Sequence, residues 1–332
     1  LGLLSPPDPD HTVGYLSRFT IVDADLTIED RRLDTSWKAP ATGVTLRRDA
    51  AGIRGEAAVA LDVDGQKAQV AVFGTYLAAT GRLDLEVDFS EIVPAVFSRI
   101  SPEFQPLGAF DLPLEGTVTL RMMADGAVET VGFDLSGGGG QLVLPGPLAQ
   151  RLDVATLELK GRYEGASKVF EIDELFVDLG AEGTLFLPAP PNHQMPLRSA
   201  RVRARYLGHE KRLEVSALDL DLQGPTASFS GVVDGVGDEP VIRAKGVLRN
   251  LAVDDFPRYW PRAWGPDARE WSVANLSRGV VSEARATIEL RAEVGSDQTV
   301  RYSYRLGTGG FTPLGDAIPL ARFSWWKGSR PA

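Results

Sequence analysis

Residues 156–188 read TLELKGRYEGASKVFEIDELFVDLGAEGTLFLP, and residues 199–231 read SARVRARYLGHEKRLEVSALDLDLQGPTASFSG. The two align without a gap at a shift of 43 residues. Tyr163 falls on Tyr206, Gly165 on Gly208, Phe170 on Leu213 and Ile172 on Val215. Leu175, Val177, Asp178 and Leu179 fall on Leu218, Leu220, Asp221 and Leu222. Within each copy apolar and polar residues alternate, the period of a half-buried strand. Each copy reads as a strand, a turn and a longer strand that slips phase once, at Asp173-Glu174 and at Ser216-Ala217. A one-residue slip predicts a β-bulge.

The same period extends outward in both directions. Upstream, Phe19 to Asp30, Val44 to Arg48, Ile53 to Asp62 and Ala68 to Phe73 all alternate, with turn signals at Asp30-Arg31-Arg32, 49–52 and Asp64-Gly65. From Arg82 to Phe89, Leu83, Leu85, Val87 and Phe89 face one way and Asp84, Glu86 and Asp88 the other. Val118 to Met122 and Val128 to Leu135 form a hairpin around Ala124-Asp125-Gly126. Gly137 to Gly140 and Pro145-Gly146-Pro147 bracket a short strand, Gln141 to Leu144. Downstream, Pro188 to His193 reads as a loop, Val241 to Leu248 as a strand, and Thr299 to Leu306 as the last strand.

Two short helical inserts interrupt the strands. The second is the densest aromatic patch of the chain, with Phe256, Tyr259, Trp260, Trp264 and Trp271 close together. Asp254, Asp255 and Phe256-Pro257 mark a helix start, Trp260-Pro261 and Gly265-Pro266 interrupt it, and a second helix spans Asp267 to Leu276. The aromatics read either as a plug holding the insert against the sheet or as a tryptophan rim for lipid or a membrane surface. An echo lies 163 residues earlier, where a helix opens at 89–97: Pro94 matches Pro257, Phe97 matches Trp260 and Gly116 matches Gly279. The matched order of strand, helix, Gly and strand suggests a duplicated unit.

Composition narrows the function. Hydrophobic residues make up 43% of the 332, enough for a core. A net charge of −10 and no long basic run argue against nucleic acid as a partner. Without cysteine, disulfides and thiolate metal sites are excluded. No stretch approaches eighteen apolar residues. The start at Leu1 and the end shortly after a strand pattern lead us to expect a piece of a longer protein, with any targeting or anchoring segment outside it.

No motif points to catalysis, a metal or a cofactor. His11, His193 and His209 lie far apart in loops or turns with no HExxH context, and read as surface histidines. Gly137 to Gly140 lacks phosphate-loop spacing and reads as an irregular strand junction. Asp62-Val63-Asp64-Gly65 has no closing Glu for a calcium loop and reads as a hairpin turn. Asn275-Leu276-Ser277 matches a sequon but also a helix C-terminus, and Asp254-Asp255 is ordinary helix N-terminal chemistry.

So many two-faced strands and so little helix leave one apolar face to be covered. A sandwich or barrel, a partner protein, or an apolar ligand could cover it. An outer-membrane barrel is disfavoured by short strands without aromatic girdles.

The stretch FPRYWPRAWGPDAREWSVANLSRGVVSEARATIEL resembles the YhdP-like branch of the AsmA-like family. Trp260-Pro261, Arg269-Glu270-Trp271 and Asn275-Leu276-Ser277-Arg278-Gly279-Val280-Val281 carry the resemblance, joined upstream by Val22 to Asp30 and Phe110 to Gly116. It covers residues 13–323. It implies a segment of a large periplasmic protein, anchored in the inner membrane of a Gram-negative bacterium, whose long U-shaped β groove carries phospholipid toward the outer membrane. The family's N-terminal membrane helix is absent from these residues.

The expected fold is therefore all-β dominated: a long, twisted, mostly antiparallel open sheet of repeated units with two short helical inserts. An opening loop (1–12) precedes a first β unit (13–150, insert near 90–105). Tandem repeats (151–240), a second unit (241–323, insert 253–279) and a tail (324–332) follow. Expected lipid-facing residues, by strand parity, are Leu157, Leu159, Phe170, Ile172, Val177, Val202, Leu213, Val215 and Leu220. The expected partners are a phospholipid or other acyl lipid, the inner membrane through a segment outside this chain, and other envelope proteins. The alternative is a structural β-sandwich of the envelope whose apolar face is closed by protein.

Overall fold

The computed structural model describes residues 16–30, 35–63, 66–99, 102–144, 149–187, 193–236, 240–262, 265–294 and 300–314. Its strands are β1 (Arg18–Asp30), β2 (Thr35–Asp49), β3 (Gly52–Val63), β4 (Gln66–Leu77), β5 (Arg82–Ile92), β6 (Phe110–Asp111), β7 (Leu114–Met123), β8 (Val128–Gly137), β9 (Gly140–Leu144) and β10 (Gln150–Val154). They continue as β11 (Thr156–Glu164), β12 (Val169–Asp178), β13 (Thr184–Leu187), β14 (His193–Pro196), β15 (Ser199–Leu207), β16 (Arg212–Asp221), β17 (Thr226–Asp234), β18 (Val241–Ala252), β19 (Val280–Val294) and β20 (Val300–Leu314). The helices are α1 (Phe256–Tyr259) and α2 (Pro266–Asn275).

Among the described residues, fifteen strands make an open antiparallel sheet in the order β1-β2-β3-β4-β5-β7-β8-β11-β12-β15-β16-β17-β18-β19-β20. It does not close into a barrel. The chain divides into two compact units, one of residues 1–143 and 156–168, the other of 144–155 and 169–332.

The 43-residue repeat is visible strand by strand. β15 and β16 have the bounds of β11 and β12 moved by the shift read from the sequence. Lys168 and Lys211, which occupy equivalent turn positions, are both left-handed, with φ of 50° and 49°. The pairing of β12 skips between Ile172 and Leu175, and that of β16 between Val215 and Leu218, where the phase slips were expected. The copies part company at their third strand. β13 pairs with β14 in a small hairpin, whereas its counterpart β17 stays in the main sheet.

Four expectations need correction. The first helical insert is present but starts after the expected 89 and is 3-10 in form: β5 runs to Ile92, and 3-10 turns follow at Pro94–Arg99 and Pro102–Ala109. Pro106 lies inside the second of these turns, where it removes a backbone donor that an α-helical ladder needs, whereas Pro94 and Pro102 stand at first positions. The stretch from Phe110 to Gly116, expected as a turn ahead of a strand beginning at Thr117, already enters β7 at Leu114. β20 extends to Leu314, past Leu306. His193 opens β14 instead of closing a loop.

The second insert follows its sequence closely. Val253–Asp255 forms a 3-10 turn, and α1 ends as Trp260 turns extended ahead of Pro261. Gly265 is left-handed before α2, which carries Pro266 in its first turn. No helix among the described residues is long and apolar enough to cross a membrane. Asp64-Gly65, Pro145-Gly146-Pro147, Pro188 to Asn192, His11 and Trp264 lie outside the described residues.

Candidate functional site

In the second unit, pairing registers place the apolar side chains of five neighbouring strands in rows on one face of the sheet. Directly opposed residues in an antiparallel pair share a face. One row runs Phe170, Tyr206, Leu213, Val233, Ile242. The next runs Ile172, Ala204, Val215, Gly231, Ala244. The third is Leu175, Val202, Leu218, Phe229, Gly246, and the fourth Val177, Ala200, Leu220, Ala227, Leu248. No charged side chain enters any of the four. The paired bulges in β12 and β16 keep the rows in step, because a slip in one strand alone would turn its apolar residues to the opposite face.

Seven of the nine residues expected from parity lie in these rows: Phe170, Ile172, Val177, Val202, Leu213, Val215 and Leu220. Leu157 and Leu159 belong to the first unit, which has rows of its own. Tyr163, Val131, Leu120, Leu85, Gly74, Gly55, Leu46 and Phe19 follow one another across eight strands. Leu159 continues through Leu135, Gly116, Phe89, Val70 and Val59. Leu175, Leu218, Tyr206 and Phe229 share the face but were missed; carrying parity through the bulge would have found the first two.

The candidates are not equally placed. Leu157 is fully enclosed and Val177 is 7% exposed. Leu159, Phe170, Ile172, Val202, Leu213, Val215 and Leu220 are half-buried. A sandwich would bury this inner face.

One end of the face in the second unit is plugged. Phe256 and Tyr259 of α1 pack with Leu197, Leu222, Ala227, Leu251 and Val281, and Leu220, Phe229, Leu248 and Trp260 lie against this cluster. The Trp260 ring meets Phe256 edge-on, with centroids 5.8 Å apart. The Tyr259 hydroxyl donates to the Leu222 carbonyl at 2.7 Å. Burial pushes its pKa above the usual tyrosine range, an effect partly opposed by the neighbouring Arg258 charge. Arg258 donates to Gln223 Oε1 at 3.0 Å, and Gln223 donates to the Gly183 carbonyl at 2.6 Å. His193 Nε2 lies 2.8 Å from the Arg258 carbonyl, which ties β14 to α1.

The aromatic cluster therefore splits between its two readings. Phe256, Tyr259 and Trp260 serve as the plug. Trp271 is 51% exposed on α2, where its carbonyl accepts the Asn275 side-chain amide at 2.8 Å. Asp254 accepts the Arg278 backbone N–H at 3.3 Å, so that carboxylate closes the insert onto the chain entering β19.

The opposite face carries the charges. Lys160 meets Asp134 at 2.7 Å, and Arg201 meets Glu174 at 3.0 Å while lying over the Phe176 ring. Asp84 holds Arg121 at 2.8 Å and Arg82 at 3.0 Å. The Arg121 hydrogen bond is the main cause of its carboxyl lying below the usual range. No family model, no curated protein and no solved structure matches this chain.

Proposed function

We propose that this chain is a non-enzymatic segment of a periplasmic lipid transfer protein of the AsmA-like, YhdP-like kind. Phospholipid acyl chains lie along the apolar face, and head groups stay in water at its open edge. The observation that carries the reading is the set of uninterrupted apolar rows from β12 to β18, half-buried away from the α1 plug. Apolar area leaving water contributes roughly 25 cal/mol per Å², so a face of this extent favours an apolar occupant. Uniform rows suit a cargo that slides, because successive positions offer similar contacts and no charge stops an acyl chain.

The test is mass spectrometry of organic extracts from protein purified in mild detergent and exchanged into detergent-free buffer. The expected result is stoichiometric phospholipid, lost when Phe170, Leu213 and Val215 are together changed to Asp. A lipid-free, soluble, monodisperse protein would overturn the reading in favour of a structural β protein whose apolar face a partner closes.

A further inference from the structure

On the charged face of the first unit one row breaks the pairing rule. Arg18 stands opposite Arg47, and Arg47 opposite Arg54, on three neighbouring strands. The row continues through Thr75, Asp84 and Arg121. Directly opposed side chains have Cβ atoms about 4.5–5.5 Å apart, and like charges so placed repel. All three arginines are exposed, and none makes an ion pair among the described residues.

Elsewhere this face opposes unlike charges. Lys160 faces Asp134, Arg205 sits between Glu171 and Glu214, and Arg249 faces Glu283. The carboxylates near the arginine row are otherwise engaged or offset. Asp49 Oδ1 accepts the Ala51 and Gly52 backbone N–H groups at 2.8 and 3.1 Å. Asp84 is held between Arg82 and Arg121. Glu56 is opposite Thr45, one row away. An open concavity of about 780 Å³ lies beside the row, lined by Arg47, Arg54 and Arg121 and by the carboxylates Asp49, Glu56, Asp84 and Glu86, while Arg18 lies outside it. Glu86 shares the offset row of Glu56 through Phe73.

We propose that Arg18, Arg47 and Arg54 form an anion site that takes a phosphate group, monoester or diester. A guanidinium presents planar paired donors that match phosphate oxygens, and an anion between opposed arginines turns their repulsion into attraction. The site lies on the face opposite the apolar rows and does not depend on the acyl-chain reading.

The experiment compares the wild-type chain, Arg47→Gln/Arg54→Gln and the control Arg203→Gln/Arg205→Gln. Each is titrated with inorganic phosphate by calorimetry at low ionic strength. Each is also sedimented with phosphatidylcholine vesicles, with and without phosphatidylglycerol. The site predicts at least tenfold weaker binding in the Arg47/Arg54 variant and unchanged binding in the control. Loss in the phosphate arm assigns a free phosphate; loss only with phosphatidylglycerol vesicles assigns a lipid headgroup. The variant removes like-charge repulsion, so its melting temperature without ligand should not fall, and phosphate should raise it only in wild type and control. Equal weakening in both variants, or no binding of either probe by wild type, overturns the proposal.

Discussion

The Tyr259 hydroxyl donates its 2.7 Å hydrogen bond to the Leu222 carbonyl, so the insert between β18 and β19 is fastened to the turn that follows β16. Both residues are buried, at 9% and 3% exposure. Tyr259→Phe keeps the ring and leaves the carbonyl without this donor, which costs about 1–3 kcal/mol. Tyr259→Ala also empties a packed site and costs about 3–5 kcal/mol. Urea denaturation of the two variants checks the order, and equal losses would mean that the hydroxyl contributes everything.

The same hydroxyl makes the plug alkali-sensitive. Its folded pKa is raised, so between the unfolded value, about 10, and the folded one the native state holds more protons than the unfolded state. Stability from this group is full below pH 10 and declines as pH rises through the folded pKa. Denaturation midpoints followed from pH 9 to 11 should fall more steeply for wild type than for Tyr259→Phe.

Leu220 and Leu213 were indistinguishable as candidates, and the structure separates them. Leu220 lies against the α1 cluster, whereas Leu213 sits at the other end of β16, outside it. Leu220→Ala should lower the melting temperature, with a loss near the lower end of the about 2–5 kcal/mol seen for a buried leucine, because Leu220 is half-buried against the cluster. Leu213→Ala should cost clearly less and instead reduce bound lipid per chain. Thermal melts and extract mass spectrometry on the same preparations read both effects, and matching stability losses would contradict this division of the face.

Gly116 pairs with Leu135 at a φ of 144°, and a Cβ there would collide with the Asp134 carbonyl. Gly116→Ala is therefore expected to destabilise the β7–β8 hairpin by about 1–3 kcal/mol. Gly126→Ala, at the tip of the same hairpin, meets a strained φ of 91° but no atom around its Cβ position, and should cost less than the variant that adds a collision. Hydrogen exchange of the β7 and β8 amides discriminates the two.

How much could be read without coordinates follows from which interactions are local. Alternation, the 43-residue shift, both bulges, the turn in each copy and the place of α2 to within one residue at each end were legible, because each depends on neighbouring residues and backbone preference. Val177 and Leu220 could be assigned to the apolar face for the same reason, once the phase slip was counted. Parity could not reveal that Leu157 is enclosed while Leu213 is half-exposed, since burial depends on what lies beyond the strand. Nor could it separate Trp271 from Phe256, which share a composition but not a neighbour. The open sheet agrees with the expected fold, whereas the tertiary structure alone decided that α1 plugs one end of the face and that Arg18, Arg47 and Arg54 stand in line. Each of these is a matter of register between strands or of packing across them, and a single strand carries only its own period.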